Sequence, residues 1–218
     1  MTEKIKQKQR QRAPSKRSLE TYARILNAAE QVFAGHGFEG ATIRDIAAMA
    51  GVQVALVHHH SGGKAELFYT VVARRAEALA QLRLDALAAC KAQGDPDLRA
   101  ILSCFITPFL DKVFHGGPAW QAYGRLIAHV SSDERWRSIT ERCFDPTVKV
   151  FLGEIEAVLP GASPARLGAC FVFMVSSMLS ICASRWRIDA LSHADDHSDL
   201  TDALLDFSEA GFLRAARS

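Results

Sequence analysis

The side chains of this sequence that could do chemistry fall into two sets. The first is concentrated between Thr42 and Lys64, where Thr42, Arg44, Gln53, the triplet His58, His59 and His60, and Lys64 follow one another closely. Hydroxyl, guanidinium, amide, imidazole and ammonium groups in so short a span are the polar types that nucleic-acid readers use. Consecutive helical residues diverge by about 100°, so the three histidines cannot share a metal ion. The second set is the scattered acid–base groups Asp111, His115 and Glu141. No Ser/His/Asp order, paired-carboxylate spacing, phosphate-cradling glycine loop or HExxH motif organises them. No catalytic residue, metal or cofactor is expected, and the chain reads as a non-enzyme.

The elements around the first set give it a purpose. Thr42 is a natural N-cap, with Asp45 at the third helical position completing a capping-box pair. Ile43, Ile46, Ala47 and Ala50 would face a preceding helix over about Leu19–Gly35, whose own apolar face carries Ile25, Ala28, Ala29, Val32 and Phe33. Gly51 makes a turn, a second short helix spans roughly Gln53–His59, and Gly62-Gly63-Lys64 breaks the chain before a long helix. Helix, tight turn and helix in this order form the unit that places a reading helix in the DNA major groove.

Composition fits that unit to a globular protein. The 218 residues are 49% hydrophobic and 23% charged, with a net charge of only +2. Yet residues 1–18 hold Lys4, Lys6, Lys8, Arg10, Arg12, Lys16 and Arg17 against Glu3 alone, so the rest of the chain is net acidic. Glutamines between the charges and no apolar periodicity predict an arm that is disordered when free. Such an arm either stays solvated or, beside a DNA-reading module, tracks phosphates or a minor groove. The N-terminal charges are not followed by an apolar stretch, so no secretory signal is expected. Five widely spaced cysteines without CxxC or Cys/His clusters predict buried thiols in a reduced, cytoplasmic protein. Leu167–Ser184 is uncharged for 18 residues, the lower limit for a membrane span. Ser176, Ser180 and Ser184 interrupt it on one face, which points to a helix in a bundle core or subunit interface and not in a membrane.

The fold class predicted is all-α. No strand alternation or repeat is present, and the helices continue from about Ala65 to Ala92, to Phe114 and from Trp120 to Val130. Asp95 is expected to cap the second of these, with Pro96 at its first position. Another helix runs from Ser132 to about Leu159, split near Asp145 by Pro146, and the last two cover about 164–188 and 198–216. The chain then divides into a basic arm (1–18), a three-helix DNA-binding domain (19–66) and a helical bundle (67–218).

The run from Ile25 to Leu67 resembles the N-terminal domain of TetR-family transcriptional regulators. Ala28-Ala29, Phe33, Gly37-Phe38, Thr42-Ile-Arg-Asp-Ile-Ala47, Ala50-Gly51-Val52, Leu56-Val57, His60, Gly62, Lys64 and Leu67-Phe68 carry the resemblance. It implies a bacterial repressor that binds a palindromic double-stranded DNA operator as a homodimer, with a C-terminal domain for a small-molecule effector and for dimerisation. By position, Thr42 and Lys64 resemble phosphate contacts, and Arg44 a residue that reaches a base in some members. Gln53, Val54 and Ala55 occupy the exposed start of the reading helix. The third helix departs from the pattern in having no Lys or Arg: Val54 stands where a basic residue is usual, and His58 and His59 where tyrosines are common. Residues 19–67 carry three basic against five acidic side chains. Affinity is therefore expected to rest heavily on the arm, with direct readout by Gln53 on adenine, Arg44 on guanine and Val54 or Ala55 against a thymine methyl. His58 and His59 are read as phosphate contacts, predicting binding that tightens as pH falls from about 8 to about 6. His60 is read as packed at the helix end.

In the bundle, Phe105, Phe109, Trp120, Tyr123, Met174 and Met178 supply apolar surface at helical spacing, alongside Phe114, Phe171, Phe173 and Trp186 that serve mainly as core. Within that surface Tyr123, Arg125, His129 and Arg185 could orient a ligand with an acidic or carbonyl end. The segment from Trp120 to Leu179 resembles a subgroup of the family, some of whose members sense fatty acids or their coenzyme A esters. Gly168, Ala169, Ser176, Ser180 and Ala183 would let the last two helices approach those of a twofold mate. The effector's identity is not legible. The other reading is a DNA-binding adaptor whose C-terminal domain engages a protein, which a solid core without a cavity would favour.

Overall fold

The structure is a computed structural model that describes residues 15–192 and 200–217. Its elements are α1 (Lys16–Gly40), α2 (Ile43–Ala50), α3 (Val54–Ser61), α4 (Lys64–Lys91), α5 (Leu98–His115) and α6 (Pro118–Ser131). A 3-10 turn (Glu134–Trp136), α7 (Arg137–Cys143), α8 (Asp145–Val158), α9 (Pro164–Ser192) and α10 (Leu200–Ala216) complete them. No strand occurs among the described residues.

Helix α1 starts at Lys16, capped by Ser15, whose hydroxyl accepts the Ser18 amide. The basic arm of residues 1–18 thus overlaps α1 in its last three residues, while residues 1–14 lie outside the described residues. Gly37, at φ 66°, breaks the regular geometry of α1 near its end, a left-handed conformation that glycine adopts without a Cβ penalty. Ile25, Ala29, Val32 and Phe33 are buried against Ile46, Ala47 and Ala50 of α2 and Val57 of α3, while Ile43 is half-buried. Three short amphipathic pieces thereby close one small core.

The α5 cap differs from expectation. Asp97, not Asp95, holds the N-terminus, its side chain accepting the Ala100 amide at 2.8 Å, and α5 begins at Leu98. Both aspartates offer the capping chemistry, and Leu98, Ile101, Leu102 and Phe105 are buried together on the face that follows Asp97. The split near Asp145 falls at Phe144, as Pro146 dictates at the start of α8.

Helices α4, α5, α6, α8 and α9 surround the larger core, with Phe105, Phe109, Tyr123, Phe151 and Phe171 inside it. Helix α9 is the one helix among the described residues long and apolar enough to cross a membrane, with mean hydropathy 1.9. It lies against α6, α8 and α10, with Leu167, Phe171, Met174, Met178, Leu179 and Ile181 buried there. Its opposite face is bare in the single chain: Val172 is 61% and Phe173 64% exposed. Trp186, read from sequence as core, is also 64% exposed, because Ser184 leaves helical geometry (φ −130°, ψ 24°) and redirects the end of the helix.

Candidate nucleic-acid interface and effector cavity

The reading module is assembled from contacts between neighbours in sequence. Thr42 Oγ1 accepts the Asp45 amide at 3.1 Å while Asp45 Oδ2 accepts the Thr42 amide at 3.1 Å, so the capping box is complete. The Thr42 hydroxyl also donates to Asp45 Oδ2 at 2.6 Å. Hydrogen bonding from Thr42 is the main cause that holds the Asp45 carboxyl below its ordinary range. With that proton committed, the donors left at the start of α2 are the amides of Ile43 and Arg44, at the positive end of the helix dipole.

Gly51 at φ 63° turns the chain with its amide on the Ala47 and Ala48 carbonyls. This presents α3 outward: Gln53, Val54, Ala55, Leu56, His58 and His59 are exposed, and Arg44 of α2 is exposed beside them. Val57 alone anchors the middle of α3, with the Ser61 hydroxyl bound to its carbonyl at 2.8 Å. The three histidines separate as helical geometry requires. His60 stacks on Tyr22 of α1, ring centroids 5.5 Å apart, while His58 and His59 face solvent. Gly62 and Gly63, at φ 71° and 156°, make the corner into α4. Lys64 is less free than its position suggests. Its ammonium donates to the Glu39 carbonyl at 3.2 Å and sits 4.5 Å from the centre of the Phe38 ring, tying α4 to the end of α1.

Two further ties join the module to the bundle. Glu30, 1% exposed, receives Arg74 Nη2 at 2.9 Å, Arg75 Nε at 2.9 Å and Arg75 Nη2 at 3.1 Å. The Arg75 guanidinium also lies 4.9 Å from the Trp120 ring centre, so α1, α4 and α6 meet at one charge cluster. On the other side, Phe68 packs edge to face on Phe33 and Phe38, which stack on each other, Trp136 meets Phe38 edge to face and tilts against Phe68, and Arg135 pairs with Glu39.

The bundle contains a cavity of about 210 Å³. Its walls are mostly apolar: Leu79 of α4, Phe105 and Phe109 of α5, Tyr123 and Ile127 of α6, Phe144 and Val148 of the α7–α8 region, and Phe171, Val175, Met178 and Leu179 of α9. Phe105, Phe109, Tyr123 and Met178 thus meet as their sequence pattern suggested, but Trp120, Arg125, His129 and Met174 do not join them. Tyr123 and Ile127 share the inward face of α6, so Arg125, about 200° further round the helix than Tyr123, points out toward Phe114 and Arg185. His129 faces an open groove with His36 and Trp136, Trp120 packs on Arg75 and Tyr123, and Met174 is filled into the core.

The residue the sequence pattern missed is Arg83. It is 6% exposed, donates from Nε to the Phe105 carbonyl at 2.8 Å and lies 3.6 Å from the Phe105 ring centre. No carboxylate compensates it among the described residues, and burial pulls its guanidinium down to about 9. Beside it on the cavity wall, the Tyr123 hydroxyl is fully buried with no hydrogen-bond partner, and burial pushes its ionisation up. The signal was present: Ala76, Leu79, Arg83 and Leu87 form one buried stripe of α4 with a charge in its middle. Glu30 interrupts the apolar face of α1 in the same way. The five cysteines are all free and partly buried, with Cys182 pushed up to about 12 by burial and Cys104 to about 11 by burial and the neighbouring Cys90 thiol.

The family description "Bacterial regulatory proteins, tetR family" matches residues 25–71, and "Tetracyclin repressor-like, C-terminal domain" matches residues 103–211, half of the chain. Over 72 residues the chain is 39% identical to HTH-type transcriptional regulator BetI of Rhizobium meliloti (strain 1021), a stretch covering 33% of this chain and 34% of that protein. The match therefore spans about a third of the length of this curated relative. Among solved structures, a TetR family transcription regulator from Marinobacter aquaeolei VT8 superposes with a TM-score of 0.64 at 16% identity, covering 89% of this chain and 96% of that one. HlyIIR, a hemolysin II transcriptional regulator, does so with a TM-score of 0.60 at 22% identity, over 87% and 97% of the two chains. At these identities the superpositions speak to the fold.

Proposed function

The chain belongs to the tetR family of bacterial regulatory proteins, and on that premise we propose that it is a cytoplasmic transcriptional repressor released from a palindromic operator by a small effector. The observation that carries this reading is the course of α4. It begins at Lys64, against the end of α1 and directly after the reading helix, and about four to five turns later supplies Leu79 and Arg83 to the cavity wall. A ligand that moves α4 moves the reading helix with it.

DNA contact falls to the exposed set. Gln53 offers a bidentate amide to adenine, Arg44 a guanidinium to guanine, and Val54 or Ala55 an apolar contact to a thymine methyl. The Ile43 and Arg44 amides at the α2 start, His58, His59 and one remaining donor of Lys64 take phosphates, with Thr42 fixing the helix start that aims those amides. The basic residues of the arm add charge that the module lacks.

The homodimer forms through the bare faces of α9 and α10. Ala169, Val172, Phe173, Ser176, Ser180 and Ala183 line one face of α9, and Ala203, Phe207, Ala210 and Gly211 one face of α10. Phe173 and Phe207, 64% and 65% exposed, would be its central apolar contacts. Two reading helices must then sit about one DNA turn apart, roughly 34–36 Å, and a coupling of about 1–3 kcal/mol between effector and operator suffices for regulation.

The test is selection of bound duplexes from a random DNA pool by the purified protein, with its mass measured in parallel. Recovery of an inverted repeat by a species of twice 23.9 kDa supports the reading. A monomer, or direct-repeat or sequence-neutral binding, would sink it. The adaptor alternative is disfavoured by the cavity, since a domain that only engages a protein needs no hollow core.

A further inference from the structure

The cavity carries information about what fills it. Two of its polar side chains, Arg83 and Tyr123, are buried, while Ser131, Thr140, Asp145 and Ser176 border it from more exposed positions. Among the described residues, no carboxylate pairs with the Arg83 cation and no acceptor meets the Tyr123 hydroxyl, both buried on the wall of the same space. A buried cation without an anion and a buried donor without an acceptor both cost free energy in the empty protein. One ligand group answers both deficits: an oxygen acceptor bearing negative charge. The remaining walls, with Phe105, Phe109, Phe144 and Phe171, call for an apolar body.

Two observations limit that ligand. The volume, about 210 Å³, lies below the roughly 300–1,000 Å³ of pockets that bury drug-sized ligands, which favours a single ring or a short branched chain over a long acyl chain. Asp145 also borders the cavity. Its carboxylate is tolerable near one negative charge held by Arg83, but it repels a polyphosphate or any dianion.

From these we propose that the cavity is a receptor for a small monocarboxylate with an aromatic or short branched body, its carboxylate held by the Arg83 guanidinium and the Tyr123 hydroxyl. This rests on the reading of the cavity as the effector site, and it departs from long-chain fatty acids by size and from coenzyme A esters by size and charge. Arg83 neutralises and orients the head, Tyr123 donates the second hydrogen bond, and the α5 and α9 side chains exclude water from the pair. Because Arg83 lies on α4, the head group grips the helix that leads to the DNA.

The test uses the full chain, with 3-phenylpropionate and 4-methylpentanoate as acid probes and 3-phenylpropanamide as the neutral match. Binding is followed by calorimetry and by thermal shift. The acids should bind at least ~10-fold more tightly than the amide, the discrimination expected of a charged hydrogen-bonded head. Arg83→Met should remove that preference, lowering acid affinity at least ~10-fold with little change for the amide, and Tyr123→Phe should weaken the acids by ~3- to 10-fold. If Arg83→Met does not fold, Arg83→Lys serves: it keeps the charge, shortens the reach and should retain part of the preference. Amide binding equal to acid binding, undiminished acid binding in Arg83→Met or Arg83→Lys, or no binding by either acid at millimolar concentration each overturns the assignment. Operator release is measured separately by fluorescence anisotropy. A neutral ligand that fills the cavity and releases DNA leaves the repressor reading standing without this assignment. An acid that binds through Arg83 without releasing DNA does the reverse.

Discussion

The reading module and the bundle solve their polar problems in opposite ways. In the module, the caps and turns are satisfied by residues three or four positions away: Ser15 with Ser18, Thr42 with Asp45, Ser61 with Val57, with Lys64 reaching back to the Glu39 carbonyl as the exception. In the bundle the decisive polar groups are deep, and their partners lie far off in sequence or are missing. At the joint of module and bundle Glu30 takes arginines 44 and 45 positions away, whereas among the described residues Arg83 has the Phe105 carbonyl and the Met178 sulfur, and the Tyr123 hydroxyl has no partner. A module closed on itself has the same shape with or without a partner. A cavity left with an uncompensated cation and donor is shaped for something that arrives, and α4 is the element the two regions share.

The contrast can be broken most forcefully at Glu30. Glu30→Ala strands Arg74 and Arg75, which keep some access to water, so the expected loss is about 2–3 kcal/mol, below the ~3–5 kcal/mol of a fully buried pair. Urea unfolding measures it, and a loss under about 0.5 kcal/mol would mean that the joint is not held by charge. Next comes deletion of residues 1–14, which spares the Ser15 cap. Operator affinity should fall ~10- to 100-fold and the slope of log affinity against log salt should flatten by about 2–4, while sequence preference holds. An unchanged salt slope would remove the arm from the interface.

Thr42→Ala probes the locally closed module and should cost about 1 kcal/mol of stability, as loss of an N-cap does. Its operator affinity should drop with it, because the α2 amides lose their alignment. Smaller still is the effect of His58→Gln with His59→Gln, which should abolish a few-fold tightening of operator binding as pH falls from about 8 to about 6. A wild-type profile flat over that range would free both histidines from phosphate contact. The smallest change in stability belongs to Arg83→Met. Replacing an uncompensated buried cation by an apolar side chain of similar length is expected to be neutral or stabilising by about 1 kcal/mol. Destabilisation beyond about 2 kcal/mol would show that Arg83 is a structural member, which would remove the difference between the two charge sites on α4.

How much was legible follows the same division. The Thr42 cap, the Gly51 turn, the Gly62-Gly63 corner and the split before Pro146 all emerged from residue type and spacing, because each rests on backbone geometry within one or two turns. The α5 start did not, since two aspartates offered equal local chemistry and only the packing of Leu98 and Ile101 chose between them. Four of the side chains grouped from sequence as ligand surface, Phe105, Phe109, Tyr123 and Met178, line the cavity. Trp120, Arg125, His129 and Met174 lie outside it, because residue type and spacing name a face of a helix without saying whether that face meets a cavity, a core or a partner. Arg83 and Glu30 carried a signal, a charge within an apolar stripe, but such a residue can equally reach solvent by its long stem.

The amino-acid sequence by itself determined the helices, the caps and turns of the reading module, the exposed order of Gln53, Val54, Ala55, His58 and His59, and the DNA-reading class. Local hydrogen bonds and periodicity suffice for those. Only the tertiary structure decided that Glu30 meets two arginines while Arg83 meets none, and that Tyr123 shares its cavity. The cost of a buried charge depends on what long-range packing brings beside it, and no spacing along the chain states that.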